Sequence, residues 1–141
     1  MIIYFTKMHG LENDFIVLDN FNGKIELNKE QIFLLCNRHK GIGADGLILV
    51  ETSKKEAHCF MNYYNSDGSQ AEICGNGIRC VADFLKNGYL KDKDTFLIET
   101  RAGIKKVKYE NYGTFSFFDE INKTVSKGES KSVFSGEVYI G

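Results

Sequence analysis

Cys74-Gly75-Asn76-Gly77-Ile78-Arg79-Cys80-Val81-Ala82-Asp83-Phe84-Leu85-Lys86 begins as a glycine-rich turn and continues as a helix with one apolar face. Ile78, Val81, Ala82 and Leu85 recur at i, i+3, i+4 and i+7, the spacing that stacks side chains along one side of an α-helix. The helix is predicted from about Asn76 to Lys86, with Asn87-Gly88 as its stop. A second helix follows Asn28, a cap with Gln31 three residues on, and places Ile32, Phe33, Leu35 and Cys36 on one face. Around these two helices the chain reads as strands: Ile2 to Phe5, Phe15 to Asp19, Leu47 to Glu51, His58 to Tyr64, Thr95 to Glu99, Ile104 to Tyr109 and Thr114 to Phe118. The turns Arg101-Ala102-Gly103 and Asn111-Tyr112-Gly113 favour adjacent antiparallel strands. The elements are therefore mixed α and β.

At 141 residues the chain is the size of one domain, and a globular chain of that length buries roughly two-thirds of its unfolded surface. Basic and acidic residues nearly balance, 18 against 19. With no long run of one sign, neither nucleic acid nor a membrane surface is indicated as the main partner, and a small molecule or a protein is favoured. The apolar start Met1 to Phe5 is soon interrupted by Lys7, His9 and Glu12, too early for a signal peptide or a membrane span. A cytoplasmic protein is expected. Its four cysteines then read as free thiols, and their spacing fits no zinc site.

Cys74 sits where the glycine-rich turn meets the helix. A helix start presents unpaired backbone N–H groups and a positive dipole end, which suit a carboxylate and favour a thiolate. Glycines on either side of Asn76 let a ligand approach the backbone closely. Upstream, Asn65-Ser66-Asp67-Gly68-Ser69 forms a polar turn able to hold ligand-facing amides. The plainer reading of Cys74 is a buried structural thiol. Arg79 reads as a solvated or ion-paired surface residue, and His9 and His39 as satisfied structural histidines.

Four blocks carry a resemblance: His9-Gly10-Leu11-Glu12-Asn13-Asp14-Phe15, Arg38 to Gly46 (Arg-His-Lys-Gly-Ile-Gly-Ala-Asp-Gly), Asn65 to Ser69, and Cys74-Gly75-Asn76-Gly77-Ile78-Arg79-Cys80. In their order and spacing they resemble the signature blocks of the diaminopimelate epimerase family, strongly over residues 1 to 110. The resemblance implies an α+β fold in which a mixed, mainly antiparallel sheet wraps around a central helix. It also implies two such domains, with residues 1–112 as the first and 113–141 as the start of a truncated second. The implied activity is a cofactor-free epimerisation of LL- and meso-diaminopimelate by two cysteines, one from each domain. Cys74 matches the first of these catalytic thiols. Gly75 and Asn76 match positions whose backbone groups hold the α-carboxylate, and Asn13 and Asn65 match substrate-contacting amides. No cofactor is implied, and a homodimer or other self-association is expected.

Three features depart from that pattern. Glu12 stands where many members have glycine, and Gly46 where some carry a substrate-facing glutamine. The chain also stops at Gly141, before the second cysteine. Cys80 cannot replace it, because six residues of helix place it about 9 Å along and about 240° around from Cys74. Cys36 and Cys59 read as core packing, so negligible turnover is expected of this chain alone. Exposed edges and disorder or repacking are expected beyond Thr114. Relatives acting on proline, hydroxyproline or an aromatic metabolite, and a fragment that binds without turnover, are the alternatives. Gly41-Ile42-Gly43-Ala44-Asp45-Gly46 fits a dinucleotide pattern, but with a helix before it and a strand after it the required context is reversed.

Overall fold

The computed structural model describes residues 1–11, 13–120 and 123–140, so the departure at Glu12 lies outside the described residues. Eight strands and two helices follow one another: β1 (Ile2–Gly10), β2 (Asn13–Asp19), α1 (Lys29–Cys36), β3 (Gly46–Glu51), β4 (Cys59–Asn65), α2 (Gly75–Asn87), β5 (Thr95–Thr100), β6 (Gly103–Asn111), β7 (Thr114–Asp119) and β8 (Thr124–Tyr139). The strands pair in chain order and the sheet closes on itself through β1 and β8. The pairings are antiparallel except β2 with β3 and β4 with β5. Those two parallel steps are where a helix intervenes, since a parallel neighbour requires the chain to cross back to its starting end.

The chain from Phe15 to Leu18 explains why β2 has no solvent face. Phe15 and Val17 point into one apolar cluster and Ile16 and Leu18 into another, as period-two alternation requires. β3 repeats the pattern, with Ile48 and Val50 on one side and Leu47 and Leu49 on the other. The second cluster is covered by Ile32, Leu35 and Cys36 of α1. Phe33 does not join them: it is about half exposed, because neighbouring positions on a helix diverge by about 100°. The first cluster takes in Ile78, Cys80, Val81, Ala82 and Leu85 of α2, all essentially inaccessible to solvent. Burying each of the three largest of these aliphatic chains contributes about 1.5–3 kcal/mol. Gly77 lets α2 lie close, since a Cβ there would come within 3.1 Å of Met61 and 3.4 Å of Phe15.

Beyond Thr114 the expectation of disorder or repacking is corrected. β7 pairs with β6 and β8, and β8 pairs along most of its length with β1. The closed sheet likewise removes the exposed edges expected after that point. Residue 112, where the sequence suggested a domain division, falls in the turn between the paired strands β6 and β7. The two chain ends meet: the Met1 amino group donates to the Ile140 carbonyl (2.9 Å) and the Ile140 N–H to the Met1 carbonyl (2.7 Å). Among the described residues no helix is long and apolar enough to cross a membrane.

Candidate active site

One end of the sheet gathers the residues singled out in the sequence. β2 begins at Asn13, β3 at Gly46 and β4 ends at Asn65, and the registers Phe15 with Gly46 and Gly46 with Asn65 bring these ends level. From Asn65 the chain turns tightly, with the Asn65 N–H on the Ser69 carbonyl (2.8 Å) and the Gly68 N–H on the Asn65 carbonyl (2.9 Å). It then enters α2 through Cys74.

Cys74 is the N-cap, in extended conformation (φ −139°, ψ 128°), and its side chain makes no capping bond. Its carbonyl accepts from the Ile78 N–H (2.9 Å), and the helix proper starts at Gly75, one residue before the position the sequence suggested. Gly75, Asn76 and Gly77 form the first turn, where backbone N–H groups have no partner within the helix. Cys74 is partly exposed, whereas Cys36, Cys59 and Cys80 are buried. Burial pushes the thiols of Cys36, Cys59 and Cys80 up, to about 11, 12 and 12. The reading of Cys74 as a buried structural thiol therefore does not hold.

Asn76 and Asn13 are joined directly, the Asn76 Nδ2 donating to Asn13 Oδ1 at 2.7 Å. Asn13 Nδ2 in turn reaches Asp45 Oδ2 (3.4 Å). Asn65 sits at the same end, but its side-chain amide donates to Ser69 Oγ (3.0 Å) within its own turn. The structure thus brings Cys74, Gly75, Asn76 and Asn13 into one group and leaves the Asn65 side chain engaged beside it. Gly46 has no room for a larger residue, since a Cβ there would lie 2.9 Å from both the Tyr63 ring and the Tyr64 carbonyl oxygen.

Several participants carried no assigned role in the sequence. Arg38 binds both carboxylate oxygens of Asp14 (3.0 and 2.8 Å) and reaches Asp45 Oδ1 (3.1 Å), and Lys7 lies 3.1 Å from Asp14. Burial works to raise the Asp14 carboxyl, but the bonds from Arg38 and Lys7 outweigh it and hold that group well below the usual carboxylate range. Asp14, Arg38 and Asp45, with His9, Leu11 and Asn13, line a shallow polar recess. Arg38 and Asp45 stand in the Arg38 to Gly46 block and Asp14 in the His9 to Phe15 block, whereas Lys7 lies outside all four and carried no signal. Tyr63 is a second addition: its buried hydroxyl is raised by desolvation and by the nearby Cys74. Two expectations are corrected. Arg79 is not a surface residue but 1% exposed, and His9 and His39 are exposed rather than structural.

Residues 5–130 match the family model described as diaminopimelate epimerase. A diaminopimelate epimerase of Nostoc punctiforme is 48% identical over 107 residues, covering 74% of this chain and 38% of that protein. A diaminopimelate epimerase of Methanococcus maripaludis is 44% identical over 133 residues, covering 93% of this chain and 48% of that protein. The chain spans about half the length of the curated relatives it matches. Among solved structures, a methylitaconate-delta-isomerase aligns with a TM-score of 0.73 at 13% identity over 99% of this chain and 96% of that one. A hydroxyproline epimerase from Agrobacterium vitis aligns at 0.64 and 13% identity, over 82% of this chain and 40% of that one. At such identity these two describe the fold alone.

Proposed function

The chain belongs to the diaminopimelate epimerase family, and from that membership we propose that it is one half of a cofactor-free epimerase interconverting LL- and meso-diaminopimelate, with Cys74 as one of two acid–base thiols. The observation that carries the reading is the placement of Cys74: a partly exposed sulfur, free of any capping bond, at the head of a buried helix. An α-proton is very weakly acidic, so the carbanion needs donors fixed at the carboxylate oxygens. The N–H groups of Gly75 and Asn76 are in the first turn of α2, where the helix dipole adds to their effect. Asn13 is positioned by Asn76 to contact the substrate, and Asn65 would do so after releasing Ser69.

Inversion requires a second base on the opposite face of the α-carbon. In this reading residues 1–112 carry the first thiol, residues 113–141 lead toward a second domain, and the opposing thiol comes from the portion of the relatives that this chain does not span. The protein works in the cytoplasm, supplies lysine and peptidoglycan precursors, and associates as a homodimer. Among the cysteines here, the burial and raised thiols of Cys36, Cys59 and Cys80 favour a more limited reading for this chain alone, binding without inversion.

The two readings separate in deuterated water. NMR should detect slow exchange of the diaminopimelate α-proton, abolished in Cys74→Ala, with negligible inversion by the wild-type chain. Robust inversion by the wild-type chain would contradict the two-half scheme. Exchange that survives Cys74→Ala would remove Cys74 from the chemistry.

A further inference from the structure

The bond that joins Asn76 to Asn13 continues in both directions, and each end of the run is a group of one hydrogen-bonding kind. Asn76 Oδ1 accepts from the Arg79 guanidinium, Asn76 Nδ2 donates to Asn13 Oδ1 (2.7 Å), and Asn13 Nδ2 reaches Asp45 Oδ2 (3.4 Å). A guanidinium only donates and a carboxylate only accepts, whereas an asparagine amide can present either of its ends. Turning Asn13 over would set its oxygen against the Asp45 carboxylate and its nitrogen against the Asn76 nitrogen. Turning Asn76 as well would set nitrogen against Arg79. The two termini therefore leave one polarity for both amides.

Asp45 is held in place for this task. Gly43, at a φ of +84° that favours glycine, turns the chain after α1 so that the Ala44 N–H meets the Cys36 carbonyl (3.0 Å). The Asp45 N–H then donates to the Asp14 carbonyl (3.0 Å) and to Asp14 Oδ1 (2.9 Å). Its carboxylate is gripped from two sides, Oδ1 by Arg38 (3.1 Å) and Oδ2 by the Asp14 N–H (3.1 Å). Arg38 also forks onto both oxygens of Asp14, a contact that fixes geometry as well as charge. At the other end of the run Gly10 lets the head of α2 come close to β1: a Cβ there would lie 3.3 Å from the Asn76 carbonyl oxygen.

We infer that Asp45 is a positioning residue whose carboxylate, fixed by Arg38 and the Asp14 N–H, dictates that Asn13 turns its oxygen to Asn76 and keeps its nitrogen at the recess that Asn13 and Asp45 both line. The loop from Arg38 to Gly46 thereby acts on the site without touching the reacting atoms. An asparagine free to turn would offer a substrate a donor in some molecules and an acceptor in others; Asp45 removes that choice. The importance of this for turnover rests on Asn13 contacting the substrate, but the polarity itself can be read with no substrate present.

The test is NMR of the side-chain amides of Asn13 and Asn76, assigned by the peaks that Asn13→Ala and Asn76→Ala lose. It compares the wild type, Asp45→Ala and Asp45→Glu, with the backbone amides of α2 as the check on folding. In the wild type one Asn13 Nδ2 hydrogen should exchange with water about tenfold more slowly than in free asparagine, as a hydrogen bond to a charged acceptor requires. Asp45→Ala should abolish that protection and also shift the Asn76 side-chain peaks, one residue further along the run. Asp45→Glu keeps an acceptor on a longer stem and should fall between. A residue that only supported its loop would leave the Asn13 hydrogens protected. Unprotected Asn13 hydrogens in the wild type overturn the inference, and so does protection that survives in a folded Asp45→Ala. If that variant does not fold, Asp45→Glu decides it, and undiminished protection there overturns it. Protection lost in Asp45→Ala, with wild-type Asn13 peaks that diaminopimelate does not move, retires the substrate role of Asn13 and leaves the role of Asp45 standing.

Discussion

Asp83 lies on α2 about two and a half turns beyond Cys74, 6% exposed, its carboxylate accepting from Asn87 Nδ2 at 2.6 Å. Burial raises it from 3.8 to about 6, against the lowering effect of Asn87 and Ser130. The folded state thus holds this proton more tightly than the unfolded chain does, so stability falls as pH rises from about 4 through about 6. The loss above that window is on the order of 3 kcal/mol. Asp83→Asn removes the penalty, and urea titrations should show its advantage over wild type growing from pH 4 to pH 8. An advantage independent of pH would contradict the assignment. Placement was legible where a motif fixed it: the start of α2 follows to within a residue from the Cys74 block, whereas the bond between Asn76 and Asn13 joins two blocks 63 residues apart and no local pattern announces it. Arg79 was misread for a physical reason. An amphipathic wheel assumes one face open to water, whereas α2 touches strands all round its early turns, and no periodicity reveals that enclosure.

At the scale of the element, α1 is short and depends on its ends. Asn28 accepts from the Gln31 N–H (2.8 Å) while the Gln31 side chain accepts from the Asn28 N–H (2.9 Å), a capping box that satisfies two donors reciprocally. Asn28→Ala should cost about 1 kcal/mol in chemical denaturation, with little effect on Cys74 alkylation because α1 covers the outer cluster. The cap and the helix were both readable in the sequence. The seven strands named there also form, because each carries apolar residues bounded by turns. β8 was not readable. Thr124 to Tyr139 is rich in serine, lysine, glutamate and glycine, and only Ser130 within it is buried. Its strand character comes from the ladders offered by β7 and β1, which are long-range partners invisible to local propensity.

For the whole molecule, the weakest joint in the barrel is the parallel step from β4 to β5, which pairs only at Cys59 with Ile98 and Phe60 with Glu99. Arg101 bridges the rest of that seam. Its guanidinium donates to the carbonyls of Tyr63 (2.6 Å) and Ala71 (3.0 Å), and lies 5.2 Å from the Tyr64 ring centre. Arg101→Ala should destabilise the protein by on the order of 2 kcal/mol, since the bonds lost come from a charged donor to part-buried carbonyls. Amide hydrogen exchange should quicken first in β4 and the turn after it, before β1 or β8. Uniform acceleration across all strands would show that the seam is not where opening begins. The closure at the other side has a different consequence. Met1 and Ile140 already exchange two hydrogen bonds, so these two residues occupy one place on the surface. A short linker could join them without displacing β1 or β8, and the polypeptide could then be opened instead at the exposed bend from Lys54 to Glu56. The order in which the strands are written along the gene is, for this barrel, separable from the order in which they stand around the helix.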